Sequence, residues 1–244
     1  MNNIESKAYI AYGPKDYGPL YKETDMSRFP VEPFNTFSNL IFLLLVIYWS
    51  WKTRLNTVKH PLTTVCMPIL LLGFIGGTVF HATRSSSIWL QLDVMPILVL
   101  ALSAGIFLWR MLVRKWVWTF LLTLGPWTIY FFISKYVISV PEKYAISIGY
   151  VVLASNILLP AVLFCVLRNR QAWLTLTLCL ASFAVAVTFR MTDRLDIAFL
   201  PQGTHFLWHI FGGICSFFMI KYLYLAEDIE VKERQGRSLR RNHK

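Results

Sequence analysis

The chain alternates long apolar segments with short connectors that carry charges or proline. Each segment lies near the length of about 20 residues that an α-helix needs to cross a bilayer. Such a helix satisfies its backbone polar groups internally, as a segment surrounded by lipid must. The pattern therefore predicts seven transmembrane helices, over about residues 35–51, 61–82, 88–109, 116–134, 145–167, 172–189 and 203–224.

The connectors between the predicted helices are short, so consecutive helices are expected to be antiparallel neighbours. The sequence contains no internal repeat and no low-complexity tract. We therefore predict an all-α, polytopic, seven-helix transmembrane bundle and not two domains. A non-cytoplasmic segment at 1–34 would precede the transmembrane domain at 35–224, and a basic cytoplasmic tail at 225–244 would follow it.

Lysine and arginine indicate the side of the membrane on which each connector lies, because cytoplasmic connectors are enriched in both. With the N-terminus outside, most of the 24 Lys and Arg residues fall in cytoplasmic loops and in the final tail. This distribution predicts an outside N-terminus and a cytoplasmic C-terminus. No cleavable signal peptide is expected, since the first segment mixes charges with aromatic residues and prolines.

Composition supports a membrane protein and argues against a nucleic-acid partner. Hydrophobic residues make up 56% of the chain and charged residues 15%, whereas charged residues average about 25% in soluble domains. The net charge of +11 comes mainly from connectors and the tail, where membrane topology places basic residues. The four cysteines lie inside apolar runs without CxxC spacing, and we interpret them as packing residues.

Three histidines and one aspartate stand at the ends of predicted helices. His205 and His209 are four residues apart at the start of the last helix, so their rings share one face. His81 closes the second helix and Asp93 opens the third. In the predicted topology all four groups fall on the non-cytoplasmic side, and His209 lies only about 6 Å deeper than His205. This convergence at one membrane level predicts a metal site.

Zinc is the ion that this set of residues favours. It binds neutral imidazole nitrogens at about 2.0–2.1 Å, and catalytic sites leave the fourth tetrahedral position to water. Binding lowers the pKa of that water toward about 7, and Asp93 is assigned the role of taking its proton. Haem held by His205 and His209 fits poorly, since rings one turn apart cannot reach opposite haem faces. A pairing of His81 with either of them stays open, but it leaves the third ring unexplained. Histidines that only pack and hydrogen-bond are the remaining alternative.

Several motifs, taken in order, resemble the alkaline ceramidases. They are EPFNTFSN before and into the first helix, FHAT at the end of the second, an aspartate about three turns later, and GTHFLWH at the start of the last. The resemblance spans about residues 30–222, and the wider superfamily of seven-helix membrane hydrolases includes the adiponectin receptors. It implies a zinc-dependent amidase that cleaves the N-acyl bond of ceramide, within a cavity open to lipid.

The resemblance also implies roles for individual residues. By position, the three histidines would be zinc ligands and Asp93 would hold the catalytic water. The family carries a serine one turn before His81, thought to stabilise the oxyanion, but this chain has Gly77 there. Thr78, on nearly the same helix face, is the candidate for the missing hydroxyl. Equally, the small residues around it would permit close helix packing.

The second ion site of the family, which binds calcium, is matched less closely. Glu32 corresponds to the glutamate before the first helix, and Asp16, Glu23 and Asp25 offer further oxygens without the tight acidic spacing of the family. Calcium binds about six to eight oxygen ligands. The alternative is a solvated N-terminal segment in which Glu32 caps the first helix or bonds to Asn35.

The charged connector RMTDRLDIAFLPQG precedes the last helix. Opposite charges at a membrane surface usually form exposed ion pairs that add little stability. The alternatives are that they hold the start of the last helix or contact a lipid headgroup.

Two other functions remain open beside the amidase. One is a lipid esterase or remodelling hydrolase of the same superfamily, with the same metal chemistry. The other is a non-enzymatic seven-helix receptor with structural zinc. In each case the partner is a membrane lipid and the site faces the non-cytoplasmic side, while the oligomeric state is not predicted.

Overall fold

The computed structural model describes residues 18–136 and 142–242, and within them it contains helices and no β-strand. The helices are α1 (Pro33–Ser38), α2 (Leu40–Thr53), α3 (Pro61–Thr83), α4 (Ser87–Val113), α5 (Trp116–Tyr136), α6 (Glu142–Arg168), α7 (Trp173–Thr192) and α8 (His205–Asn242), with a 3₁₀ turn at Arg170–Ala172. The predicted all-α class is confirmed.

Seven helical segments among the described residues are long and apolar enough to cross a membrane. The first combines α1 and α2, and each later helix supplies one. The predicted seven spans are therefore confirmed, and the chain is a multi-pass membrane protein. Large apolar side chains such as Leu44 and Leu174 stay more than half exposed, as lipid-facing residues do.

The last helix differs most from its predicted bounds, because it continues beyond residue 224 to Asn242. The prediction ended the helix where the apolar run ends. Beyond that point Glu, Lys and Arg are frequent, and all three are strong helix formers. Arg234 also donates to Glu230 one turn earlier, a spacing that supports helices. Helix propensity thus prolongs α8 into the segment predicted as a basic tail.

The chain forms two compact units, each assembled from several stretches of sequence. The first contains Thr64–Ile97, Leu178–Phe218 and the described residues up to Leu55. The second contains Asn56–Thr63, Leu98–Thr177 and the described residues from Met219 onward. All of the predicted site residues belong to the first unit. The predicted boundaries at 34 and 224 stay predictions.

Candidate metal centre

Three buried histidines from two helices converge in the first unit. His81 lies in the last turn of α3, His205 is the first residue of α8, and His209 follows one turn later. The three residues are 0%, 3% and 4% exposed. One ring nitrogen from each lies within 4.8 Å of the other two. The structure thus brings together the three histidines that the sequence analysis predicts as metal ligands.

A buried carboxylate, Glu32, adjoins this cluster and remains charged. Its Oε1 accepts hydrogen bonds from Thr24 and Arg84, each at 2.5 Å, and its Oε2 accepts one from Asn35 at 3.2 Å. Burial alone would raise its pKa, but the hydrogen bond from His81, the charge of Arg84 and the hydrogen bond from Thr24 hold the pKa below its usual value. Glu32 is therefore an ionised acceptor inside the protein.

Glu32 also determines which nitrogen of His81 carries the hydrogen. Nδ1 of His81 lies 2.5 Å from Oε2 of Glu32, and both side chains are fully buried. An ionised carboxylate only accepts hydrogen bonds, so Nδ1 donates and Nε2 keeps its lone pair. Nε2 is buried and has no hydrogen-bond partner. A carboxylate behind the ring and a free nitrogen in front are typical of a metal-binding histidine.

The calcium site expected at Glu32 does not fit this arrangement. Four donors occupy the lone-pair positions of its carboxylate, and one of them is a guanidinium group. Glu23 uses both oxygens to accept backbone N–H groups at the start of α1, and Asp25 accepts from its own turn. Asp16 lies outside the described residues. Glu32 is thus engaged with protein donors and offers no position to calcium.

Helix α1 and a tyrosine contact the other two imidazole rings. Nδ1 of His209 lies 2.7 Å from the hydroxyl of Ser38 and 3.1 Å from the carbonyl oxygen of Asn35. A carbonyl oxygen only accepts, so Nδ1 carries the hydrogen and Nε2 is left for a metal. The ring of His205 stacks on Tyr21, with centroids 3.8 Å apart.

A buried aspartate positions the start of α8, and with it both histidines of this helix. Oδ1 of Asp193 accepts the backbone N–H groups of Thr204 at 2.9 Å and His205 at 2.8 Å. Gly203 has a φ of +82°, and a Cβ there would lie 2.5 Å from the same Oδ1. Of the three roles considered for this charged connector, Asp193 therefore has the one of holding the start of the last helix.

Asp93 reaches the neighbourhood of His81 from the second turn of α4. Its Oδ1 approaches Gly77, which lies one turn before His81 on α3. A Cβ added to Gly77 of α3 would clash with Oδ1 of Asp93, and it would lie 3.0 Å from Nδ2 of Asn39. The carboxylate and the amide thus occupy the space that a side chain at position 77 would need. Glycine at position 77, where the resemblance implies a serine, thus leaves the space that Asp93 and Asn39 occupy.

Thr78, the candidate hydroxyl donor, lies three residues before His81 on α3. Residues three apart on a helix are neighbours on nearly one face. Oγ1 of Thr78 is buried and has no hydrogen-bond partner. Its hydroxyl is therefore available to another group.

Several residues that surround the histidines are not predicted as site residues from the sequence. Arg84 is fully buried, although an arginine at the end of a span is usually a topology signal. Tyr21 and Arg84 reach the site through contacts between residues distant in the chain, so no local pattern identifies them. Ser38 and Asn39 were identifiable as a group, because with Asn35 they share the spacing of one helix face.

The donor set fits zinc better than a hard cation. Three imidazole nitrogens suit zinc and other transition metals, whereas calcium and magnesium prefer oxygen. Two of the three rings have Nδ1 hydrogen-bonded to a carboxylate or a carbonyl oxygen, as zinc-bound histidines usually do. This group of histidines could hold a metal ion.

Comparison with known proteins identifies one family. The family model described as Ceramidase matches residues 23–242, nearly the whole chain and every residue of the histidine cluster. No curated protein matches the chain by sequence.

Proposed function

Because the chain belongs to the ceramidase family, we propose that it is a zinc-dependent hydrolase that cleaves the N-acyl bond of ceramide or a related N-acyl lipid. Family membership supports a hydrolase that acts on a membrane lipid. The single observation that carries the metal chemistry is the convergence of ring nitrogens from His81, His205 and His209 within 4.8 Å.

The three histidines would hold the zinc ion, and the groups behind them would keep their rings in place. A bound zinc ion would lower the pKa of a water molecule toward about 7 and polarise a carbonyl oxygen. Glu32 keeps Nδ1 of His81 protonated and directs Nε2 away from itself. The Arg84 guanidinium, 2.5 Å from Glu32, compensates the buried negative charge.

Asp93 is the proposed proton carrier of the reaction. It would take a proton from the attacking water while the water oxygen bonds to the amide carbon. It would return that proton to the nitrogen when the C–N bond breaks, so that a sphingoid base and a fatty acid leave. Thr78 would donate a hydrogen bond from its hydroxyl group to the carbonyl oxygen as negative charge develops there.

We further propose that the site faces the non-cytoplasmic side and receives its substrate from the lipid. The histidines and Asp93 come from the end of α3 and the starts of α4 and α8. In an antiparallel succession of spans, these ends lie on one side of the membrane. The distribution of Lys and Arg supports assigning that side as the non-cytoplasmic one.

Metal removal combined with a lipid panel tests the proposal. Purified protein in detergent is expected to contain zinc and to release fatty acid from N-acyl lipids. A chelator should abolish release, and zinc, but not calcium, should restore it. Release from O-acyl lipids alone would overturn the amidase assignment in favour of an esterase. Zinc-containing protein that cleaves no lipid of the panel would favour a receptor with structural zinc.

A further inference from the structure

The side-chain nitrogen of a buried asparagine between α1 and α2, at the edge of the proposed active site, has no hydrogen-bond partner. Asn39 is 2% exposed, and no hydrogen bond reaches its Nδ2. Buried polar groups are nearly always paired, because an unpaired donor loses its hydrogen bonds to water without replacement. A donor that is left unpaired beside a reaction site is therefore a candidate to bind a substrate group.

The position of this amide is defined by Gly77. The point where a Cβ would stand on Gly77 lies 3.0 Å from Nδ2 and 3.2 Å from Oδ1 of Asn39, and it clashes with Oδ1 of Asp93. The amide and the proposed proton carrier thus adjoin the same point of α3. Both groups are ends of side chains, so they could move aside for a larger residue, but they would then leave their present positions.

Asn39 itself adjoins α3, and the residue before it contacts α8, the other histidine-bearing helix. Gly77 lies one turn before His81 on α3. Ser38, the neighbour of Asn39 in the chain, has its hydroxyl 2.7 Å from Nδ1 of His209 on α8. Asn39 therefore lies where α1, α3 and α8 meet the site.

We propose that Asn39 is a catalytic residue that donates an N–H to the oxygen of the scissile carbonyl, beside the hydroxyl of Thr78. This inference rests on the proposed hydrolase function. When water adds to the carbonyl carbon, the π electrons move to the carbonyl oxygen, and the amide N–H stabilises the charge. The electrons return as the C–N bond breaks and the nitrogen takes its proton from Asp93. Glycine at position 77 leaves room for Asn39 and Asp93 to adopt this arrangement.

The first test replaces Asn39 with leucine, which has a similar volume and no N–H. We expect Asn39→Leu to bind zinc normally and to lower kcat by about 10²–10³-fold, the usual effect of losing one such donor, with little change in KM. Affinity for a phosphonamidate lipid, whose tetrahedral oxygen resembles the oxyanion, should fall by a similar factor. The unfolding temperature should stay constant or rise, since an unpaired buried donor is removed.

Asn156 provides the matched control. It is also a buried asparagine of a spanning helix, but its Nδ2 donates to the carbonyl oxygen of Thr123 at 2.6 Å, in the second unit. Asn156→Leu should therefore lower the unfolding temperature and leave kcat and phosphonamidate affinity near wild-type values. A structural role for Asn39 would produce the same pattern as this control and would overturn the inference.

Position 77 provides a second test, which probes Asn39 together with Asp93. Gly77→Ser restores the residue type of the family, yet we expect it to fold, retain zinc and lose most activity, because its side chain displaces Asp93 and Asn39. Increased turnover in Gly77→Ser would overturn the inference.

The outcomes separate this inference from the proposed function. If wild-type protein cleaves only O-acyl lipids, the amidase proposal fails. The role of Asn39 is then tested by comparing the affinities of wild type and Asn39→Leu for a phosphonate ester, which resembles the intermediate of ester hydrolysis. If wild-type protein is active and Asn39→Leu matches it in kcat and analogue affinity, the proposed function stands and this inference fails. Wild-type protein that cleaves no lipid and binds neither analogue would overturn both.

Discussion

The protein buries histidines beside carboxylates in two regions, and the two regions differ in how the carboxylates are used. In the first unit, Glu32 accepts the Nδ1 hydrogen of His81 and leaves Nε2 without a partner. In the second unit, His60 is fully buried and stacks on Tyr224, with ring centroids 3.7 Å apart. Glu227 lies 3.7 Å from Nδ1 of His60, beyond hydrogen-bond distance.

The carboxylates near His60 serve other groups. Glu227 accepts the backbone N–H groups of Leu62 and Thr63 at the start of α3, and it also accepts the Thr63 hydroxyl. Asp228 pairs with Lys59 at 2.7 Å. These contacts stabilise a helix start and a charged connector. A buried histidine beside an acid is therefore not sufficient evidence for a metal site; convergence of one nitrogen from each of three rings is the distinguishing feature.

The largest expected effect comes from removing one ring of the cluster. His81→Ala or His205→Ala should lose zinc and reduce fatty-acid release at least about 10³-fold, because a catalytic metal contributes several kcal/mol to transition-state stabilisation. Metal analysis and a release assay measure both effects. His60→Phe, which retains a ring against Tyr224, is the control and should keep zinc and activity. Equal losses in the control would remove the distinction between the two regions.

The next effect concerns the carboxylate that is proposed to carry protons. Asp93→Asn should lower kcat by about 10²–10⁴-fold, the usual contribution of a general base, while the zinc content stays at the wild-type level. Asp228→Asn, which changes an aspartate near the other histidine, should leave kcat unchanged. Wild-type turnover in Asp93→Asn would exclude Asp93 as the proton carrier.

A smaller effect is expected at the carboxylate behind His81. Glu32→Gln should weaken zinc affinity by about 10–100-fold, as loss of a hydrogen-bond partner behind a metal ligand usually does. Competition with a zinc chelator measures this change. The matched Glu227→Gln variant should keep its zinc affinity and lose about 1 kcal/mol of stability, since a helix cap is weakened. Zinc affinity that falls equally in both variants would indicate a general effect on folding.

The smallest effect is the pH dependence of stability near His60. Burial lowers the pKa of His60 below its usual 6.5, Asp228 opposes the shift, and Lys59 adds to it. The unfolded chain therefore binds this proton at a higher pH than the folded chain does. The contribution of the neutral ring to stability is complete above pH 6.5 and is lost as pH falls toward the folded-state pKa. Thermal unfolding across this range should show a weaker pH dependence in His60→Phe.

Local sequence signals identified most of the fold and part of the site. Span length and apolar composition predict transmembrane helices because each helix satisfies its own backbone, whichever helices surround it. The spacing of His205 and His209 places two rings on one face because helical geometry is regular. The predicted end of the last helix, near residue 224, was too early, since charged helix formers continue the helix beyond its apolar part. Short stretches of sequence and their order are therefore enough to predict the all-α fold with seven spans, the ceramidase resemblance and the histidine pair.

Only the tertiary structure decided how the remaining residues are used. Glu32 looked like a calcium ligand from its position before the first helix, but its oxygens face donors that arrive from residues 24, 35, 81 and 84. Gly77 looked like a lost serine, but Asp93 and Asn39 occupy the space where that side chain would stand. Each lone pair accepts one hydrogen bond and each volume holds one side chain. Several of the groups that fill them, such as Arg84 at Glu32 and Asn39 at Gly77, come from distant parts of the chain. Hydrogen-bond saturation and steric exclusion are therefore properties of the packed helices, and helix periodicity contains no information about them.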